Sequence, residues 1–350
     1  MLIIGCDFHP TFQQIAYVDT ETGEELQRRL NHPVEAEQFY RSLAGRQVRV
    51  GIEATGNFRW FRRRMAELGF ELWVGDPSAI SASNPRKQRT DKRDAEHILR
   101  LLLEDRFPRV WMPSPAEEEI RGLLVHRCRL VRLRTRVMNQ LDGMAKNEGL
   151  IGIRVYTGQG RQRFQAVALG GWQQQQRRDL YALLDDLNGR IVPLDREVAA
   201  VAEARVEAKL LMTHPGVGPN VSLAFVLAIG PWQRFPRGKQ VASYLGLIPA
   251  EASSGKKRRL GKLTKQGNSM VRWLLVQAAS LAQNKDATWH RQYRRLALTK
   301  HHGIAKLAIA HKLAIRLYWM LRSGQNYEQV RERGSHAGQS GCLTGKTTCR

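Results

Sequence analysis

Cysteine is scarce in this chain: there are four in 350 residues, at positions 6, 128, 342 and 349, with no CxxC pair and no histidine at metal-ligand spacing. That excludes a disulfide framework and a structural zinc site. Long apolar runs are missing too. None approaches the roughly 18 residues needed to span a bilayer, and Met1-Leu2-Ile3-Ile4-Gly5-Cys6-Asp7 has neither the basic start nor the long apolar core of a signal peptide. A cytosolic protein with no membrane partner is the expectation. Acids are also in short supply, 32 Asp and Glu against 56 Lys and Arg, which leaves a net charge of +24. A surplus of that size implies a polyanionic partner, and with the membrane reading weak that partner is nucleic acid. Apolar residues, at 42%, are plentiful enough for real cores, and the length suggests two or three domains.

The run from Arg86 to Arg100 sets two acids, Asp91 and Asp94, inside a strongly basic stretch. Ala95, Ile98, Leu99, Leu102 and Leu103 recur at helical spacing, so the two carboxylates lie three apart on one face of a first helical turn. Taken alone, Asp91 as an N-cap with Asp94 following is the plainer reading. The flanking Lys and Arg add little to a cap, whereas they would hold a phosphate backbone over a metal site.

Residues 1–113 read as α/β. Leu2-Ile3-Ile4 runs into Asp7, and Gln14 to Asp19 alternates with period two, which gives a hairpin of two strands. Val48 to Glu53 is a further short strand ending in an acid, followed by a turn at Thr55-Gly56-Asn57 and a helix through Trp60, Phe61, Met65 and Leu68. Phe70 to Val74 is another strand. Strand ends along one sheet edge and a helix start can converge, and Asp7, Glu53, Asp91 and Asp94 would then form a two-metal phosphodiester site with cations about 4 Å apart. Hard oxygen ligands favour magnesium or manganese as the cofactor.

Residues 114–208 read as a helical, coiled-coil segment. Ile120, Leu123, Leu130, Leu133, Val137, Leu141 and Met144 form an apolar stripe, while Arg121, Arg127, Arg129, Arg132, Arg134 and Arg136 load the other faces without acids between them. Arg129, Arg132 and Arg136 are candidate contacts to a nucleic-acid backbone. After a linker-like stretch from Gly149 to Gln176, the residues Leu180, Leu184, Leu187, Ile191, Leu194, Val198 and Val201 make a heptad seam, either an antiparallel hairpin or a coiled coil between protomers. Pro193 is expected to kink or break that helix.

Residues 209–325 read as mostly helical. His214-Pro215-Gly216-Val217-Gly218-Pro219 between two helices has the layout of a helix-hairpin-helix, whose Gly216 and Gly218 can offer backbone N–H groups to a phosphate. Farther on, Ser253-Ser254-Gly255 precedes a basic run that holds Lys256, Lys257, Arg258, Arg259, Lys262 and Lys265. A serine beside that positive field is a candidate nucleophile; an ordinary Ser-Gly turn ahead of a DNA-binding patch is the alternative. From about 326 to 350 the chain is polar, with Gly, Ser and Thr, and reads as a disordered tail.

The order strand-Asp, strand-Glu, helix-Asp-x-x-Asp resembles the RuvC branch of the ribonuclease H fold. Gly5-Cys6-Asp7, Gly51-Ile52-Glu53-Ala54-Thr55-Gly56, Thr90-Asp91-Lys92-Arg93-Asp94-Ala95, His214-Pro215-Gly216-Val217-Gly218, Leu245-Gly246-Leu247-Ile248-Pro249, Ser253-Ser254-Gly255 and Lys265-Gln266-Gly267-Asn268 followed by Arg272 together resemble DEDD-type transposases of the insertion-sequence one-ten family. The resemblance covers most of residues 1–325. It implies a RuvC-like domain, a coiled-coil domain and a C-terminal transposase domain. It also implies metal-binding acids at Asp7, Glu53, Asp91 and Asp94 and a serine nucleophile at Ser254, with Ser253 beside it, in a composite site. The partners it implies are donor and target DNA, a structured guide (bridge) RNA and further copies of the chain as a dimer or tetramer, in the prokaryotic cytoplasm at the nucleoid. Phe8-His9-Pro10 departs from the pattern, since many relatives have a Ser-Lys pair after the first Asp. A metal-dependent junction resolvase of the RuvC type, without a covalent intermediate, is the alternative activity.

Overall fold

The computed structural model describes residues 1–84, 90–251 and 259–332. They divide into two compact units, Met1–Met112 and the chain from Pro113 onward.

In the first unit β1 (Leu2–Phe8), β2 (Phe12–Asp19), β3 (Glu25–Asn31), β4 (Val48–Glu53) and β5 (Glu71–Gly75) form one mixed sheet in the order β3-β2-β1-β4-β5. β1, β2 and β3 pair antiparallel, whereas β4 and β5 continue parallel to β1. Four helices join them: α1 (Val34–Ser42), α2 (Arg59–Glu67), α3 (Pro77–Ser83) and α4 (Asp91–Leu103). This α/β arrangement is consistent with a ribonuclease H-like fold. β1 is central and apolar almost throughout, as a strand covered on both faces must be. Its two-residue period sorts the layers: Leu2, Ile4, Cys6 and Phe8 share a core with α1 and α2 through Phe39, Tyr40, Phe61 and Met65, while Ile3 packs with Ala95, Ile98 and Leu99 of α4.

The edge strand β3 is exposed at every residue except Leu30. Its Arg28 and Arg29 blunt the sheet edge by charge. With no apolar alternation to read, the sequence gives only the two-stranded hairpin, and β3 and α1 are found by the structure alone.

α4 lies on the backbone of the two central strands. A Cβ placed on Gly5 would stand 2.3 Å from the Leu99 nitrogen and 2.4 Å from the Ala95 carbonyl oxygen, and one on Gly51 would stand 2.7 Å from a Leu102 methyl. Only glycine permits that approach at position 5, because the opposing atoms are helix backbone.

The second unit begins with α5 (Pro115–Asn147), α6 (Gly158–Gln165) and α7 (Gly171–Ala204). A capping box opens α5: Ser114 Oγ accepts from the Glu117 N–H, and the Glu117 carboxylate accepts from the Ser114 N–H. α7 runs back along α5 as an antiparallel hairpin within one chain. Val137, Leu141 and Ala145 meet Leu180, Leu184 and Leu187, and Arg127 pairs with Asp195 at 2.7 Å. The helix continues through Pro193 without the expected break. Burial of Ile191 and Val198 on either side of it, together with the Arg127–Asp195 pair, offsets the roughly 3 kcal/mol that an interior proline costs. The stretch from 149 to 176 is no linker either. Val155 and Phe164 are buried, Tyr181 donates to the Val155 carbonyl, and the buried Arg177 donates to the carbonyls of Phe164 and Val167 at the end of α6.

Beyond it lie α8 (Val206–Met212), α9 (Pro219–Ile229), α10 (Gly238–Tyr244), a two-stranded ribbon of β6 (Pro249–Glu251) and β7 (Leu260–Leu263), then α11 (Ser269–Lys285), α12 (Ala287–Ala297), α13 (His302–Ser323) and α14 (Tyr327–Glu332). Leu124, Cys128, Val198 and Ala202 of the hairpin share one core with α9, α11 and α13. The boundary expected at 208 therefore falls inside a continuous core. The disorder expected from 326 does not hold for α14. Tyr327 and Val330 are buried there, and the Tyr327 hydroxyl accepts from Trp289 Nε1 at 3.0 Å and donates to Asp286 at 2.9 Å. Residues 333–350 lie outside the described residues. Among the described residues no helix is long and apolar enough to cross a membrane.

His214, at the end of the turn after α8, is 1% exposed, with Nδ1 at 2.8 Å from the Pro215 carbonyl and its ring against Tyr327 and Trp289. Burial holds its imidazole neutral, with a pKa lowered to about 4.

Two outcomes follow from these contacts. Gly5→Ala should cost about 3 kcal/mol or more of stability in the first unit, since the added methyl meets helix backbone that cannot turn aside; an unchanged denaturant midpoint would contradict the seating of α4. The folded pKa of His214 lies below its unfolded value of about 6.5, so the stability it contributes is complete above that pH and is lost as pH falls toward 4, roughly 3 kcal/mol in all. Urea titrations between pH 7 and 4.5 should show a shallower acid loss in His214→Gln than in the parent chain, and parallel losses would remove His214 as the cause.

Candidate metal centre

β1 and β4 are parallel with Cys6 opposite Ile52, so Asp7 and Glu53 stand side by side at the same end of adjacent strands. Strand alternation puts each of them two residues past a glycine, on the face that α4 covers. Leu99 and Ala95 rest on Gly5, and the first turn of α4, with Asp91 and Asp94, therefore lies over the strand ends. Asp7, Glu53 and Asp94 line one cleft together with Ser81, Asn84 and His97. Thr90 caps α4, its Oγ1 accepting from the Arg93 N–H at 3.4 Å. Asp91 is thus the first helical residue and not the cap, which removes the plainer reading of its carboxylate.

The turn between β1 and β2 brings in a residue the sequence did not assign. His9 donates its N–H to the Phe12 carbonyl, and its ring stacks on Phe12 with centroids 4.5 Å apart. Its Nε2 lies 3.1 Å from Asp7 Oδ2 and 3.7 Å from Asp91 Oδ1, and ligand atoms of Asp7, His9 and Asp91 all fall within 4.8 Å of one another. A histidine in the turn directly after an acid-bearing strand was the available signal. His97, also unassigned, is buried on α4: Arg100 donates to its Nδ1 at 2.7 Å, leaving Nε2–H to face the Ile80 carbonyl at 3.2 Å and tie α4 to α3.

Burial raises the Asp7 pKa, His9 opposes that rise, and the carboxylates of Asp91 and Asp94 add to it. A part-buried carboxylate pushed toward protonation by its acidic neighbours suits a divalent cation, which would relieve the repulsion. The donor set therefore fits a metal: ligand atoms of Asp7 and Asp91 are within reach of one cation, and Glu53 and Asp94 share a cleft with Asp7 from which they could add to it.

The other sequence-assigned residues belong to the second unit. Arg129, Arg132 and Arg136 are exposed along one face of α5 and make no hydrogen bond or ion pair among the described residues. Arg121, Arg127 and Arg134 are instead turned to the Leu227 carbonyl, Asp195 and Asn188. Gly216 has a left-handed φ of 84° and packs on α11, where a Cβ would meet the Ala282 nitrogen at 2.5 Å. Helix packing by itself requires a glycine here; Gly218 stands at the N-cap of α9. Arg259, Lys262 and Lys265 are exposed. Ser253, Ser254, Lys256, Lys257 and Arg258 lie outside the described residues. The strands on either side of that segment are described. Arg272 donates to the carbonyls of Leu245 and Gln266 at 2.9 and 2.7 Å, and Gly246 and Gly267 pass against each other's loops too closely for any side chain. A three- and four-residue ribbon is marginal by itself, and these contacts fix its base.

Residues 4–147 match the family profile of DEDD-type IS110 transposases, described as a transposase, and residues 208–294 match a second profile described as the transposase IS116/IS110/IS902 family. A probable family 20 transposase of Pseudomonas aeruginosa is 27% identical over 334 residues, covering 91% of this chain and 96% of its own length. The transposase for insertion sequence element IS1111A of Coxiella burnetii is 26% identical over 340 residues, 93% of this chain and 91% of its own. With two profiles of one family matched in order, and relatives alike over nearly the whole length, the chain belongs to the IS110 family of DEDD-type transposases.

Proposed function

We propose that the chain cleaves and exchanges DNA strands under the direction of a structured guide RNA, dividing the chemistry between the acids of the first unit and Ser254 of the second. The observation that carries this reading is the convergence of Asp7, Glu53 and Asp94 on one cleft, with Asp91 joined to Asp7 across His9. Magnesium or manganese held by these acids would supply positive charge to the scissile phosphate and to the leaving oxygen. Ser254 Oγ forms an ester bond to phosphorus as the bond to the departing strand breaks, and that strand leaves as an alcohol. A hydroxyl of the second strand then attacks the phosphoserine and restores the free serine, so one phosphodiester is exchanged for another without an outside energy source. Ser253 is the neighbouring candidate.

The charge of +24 and the exposed arginines of α5 support contact with nucleic-acid backbone, and Lys256, Lys257, Arg258, Arg259, Lys262 and Lys265 would hold DNA beside the serine. Gly218, at the start of α9, is the remaining backbone donor. Exchange of two strands calls for more than one active chain, hence a dimer or tetramer. The guide RNA rests on the family resemblance.

Ser254→Ala should retain RNA and DNA binding yet lose cleavage by on the order of ten-thousandfold and form no covalent adduct, whereas Asp91→Asn should lose roughly a hundredfold or more through weakened metal binding. Denaturing gels of enzyme with labelled target DNA, followed by peptide mass analysis of any retarded band, read both. Parent-like cleavage by Ser254→Ala, with no adduct in either protein, would make the chain a metal-and-water nuclease of the RuvC type. Arg129→Glu with Arg136→Glu should reduce the slope of log affinity against log salt by about 2. An unaltered slope would leave that face merely solvated.

A further inference from the structure

We propose that His9 is itself a ligand in the metal centre, and that its imidazole turns the site from magnesium toward manganese(II). The proposal rests on the reading of the four acids as metal ligands and adds to it a nitrogen donor. Three observations carry it. First, Nε2 of His9, and not its backbone, faces both Asp7 and Asp91, at 3.1 and 3.7 Å. Ligand atoms around one six-coordinate cation with bonds near 2.1 Å stand about 3 Å apart when adjacent and about 4.2 Å apart when opposite, and the mutual limit of 4.8 Å for this trio is close to that range. Second, the ring is held where it is. Its face stacks on Phe12, Arg29 covers Phe12 at 3.8 Å, and the His9 N–H is fixed to the Phe12 carbonyl. An imidazole fixed in this way loses little freedom on binding a cation. Third, its location is open: the His9 side chain is 37% exposed, so a cation reaches it without rearrangement of the core.

Magnesium takes oxygen ligands almost exclusively and gives up its waters reluctantly, whereas imidazole nitrogen suits the first-row transition cations. A carboxylate pair with one imidazole is therefore a poorer magnesium site and a better manganese site than the same acids alone. To bind, His9 would take the place of a water on the cation; the proton that Nε2 shares with Asp7 would pass to Nδ1 by way of solvent, or to solvent where Nδ1 already carries one, which leaves the Nε2 lone pair free for the metal.

The test uses the full-length chain with manganese(II) alone, without DNA, so that no catalytic turnover enters the readout. Pulsed electron paramagnetic resonance should show nitrogen coupling of the size given by a directly bound imidazole, and His9→Gln should abolish that coupling while manganese still binds. Calorimetry should show the manganese Kd raised about tenfold or more in His9→Gln, with the magnesium Kd changed less. Manganese binding that is lost in Asp7→Asn, yet shows no nitrogen coupling and an unchanged Kd in His9→Gln, overturns the role of His9 and leaves the acids as the metal site. Manganese binding that is unaffected by Asp7→Asn overturns the acid site, and this proposal with it. His9→Ala serves as a second variant, and a circular dichroism spectrum like the parent's confirms that either substitution reports on the site and not on folding.

Discussion

The seating of α4 on the bare backbone of β1 and β4 is the contact on which the first unit depends. Gly5 and Gly51 remove side chains from the middle of the sheet at the two points where Leu99 and Leu102 press down. The helix consequently sits closer to the sheet than interleaved side chains would permit, and its first turn lies directly over the strand ends. Asp7 and Glu53 each follow a glycine by two residues, so the residue that admits the helix and the acid proposed to bind metal share a strand face. The gathering of these acids is in this sense a by-product of helix packing.

Placing acids together in this way has an electrostatic cost that a strongly basic protein is well suited to bear. Asp7 is partly buried and its carboxyl is pushed toward protonation by that burial, with Asp91 and Asp94 adding to the effect. His9 opposes it directly, by charge and by hydrogen bond. Elsewhere the chain spends its arginines in two ways. Arg121, Arg127, Arg134 and Arg177 are turned inward to carbonyls, an amide and a carboxylate and stabilise the helical unit, while Arg129, Arg132 and Arg136 remain at the surface. The α5 run, uniform in sequence, is thus two populations, separated by which side of α5 meets α7 and α9.

Much of this was legible in the residues. Strands that end in acids were read from short β-rich runs, Val48–Glu53 to the residue, because apolar runs between turn signals have few other solutions. The nearness of the acids at one sheet edge and the helical hairpin followed from spacing. What escaped reading were elements whose stability comes from partners distant in sequence. β3 has one buried residue and is held by its ladder to β2; α6 looks like a Gln-rich linker until Arg177 and Tyr181 are seen to close on it; Pro193 sits inside a helix because the neighbouring helix holds both sides. His9 carried no periodic signal at all, and its importance arises from a turn that folds it back over Asp7. Gly216 carries a packing purpose that spacing did not reveal: its left-handed conformation and its crowding against α11 require a glycine there.

The short helix at the end of the described chain sets a limit on how far the protein can be trimmed. Tyr327 is a keystone: its hydroxyl links Trp289 to Asp286, its backbone N–H is received by Thr213, and its ring closes the pocket of His214. A chain ended at 325, where composition alone suggests the folded part stops, would leave an indole N–H and an aspartate cap without their shared partner and open a buried histidine to water. One ended at 332 keeps all of these. Seven residues therefore separate a shortened protein with an intact helical core from one whose core is breached at the point where three distant segments of chain are joined.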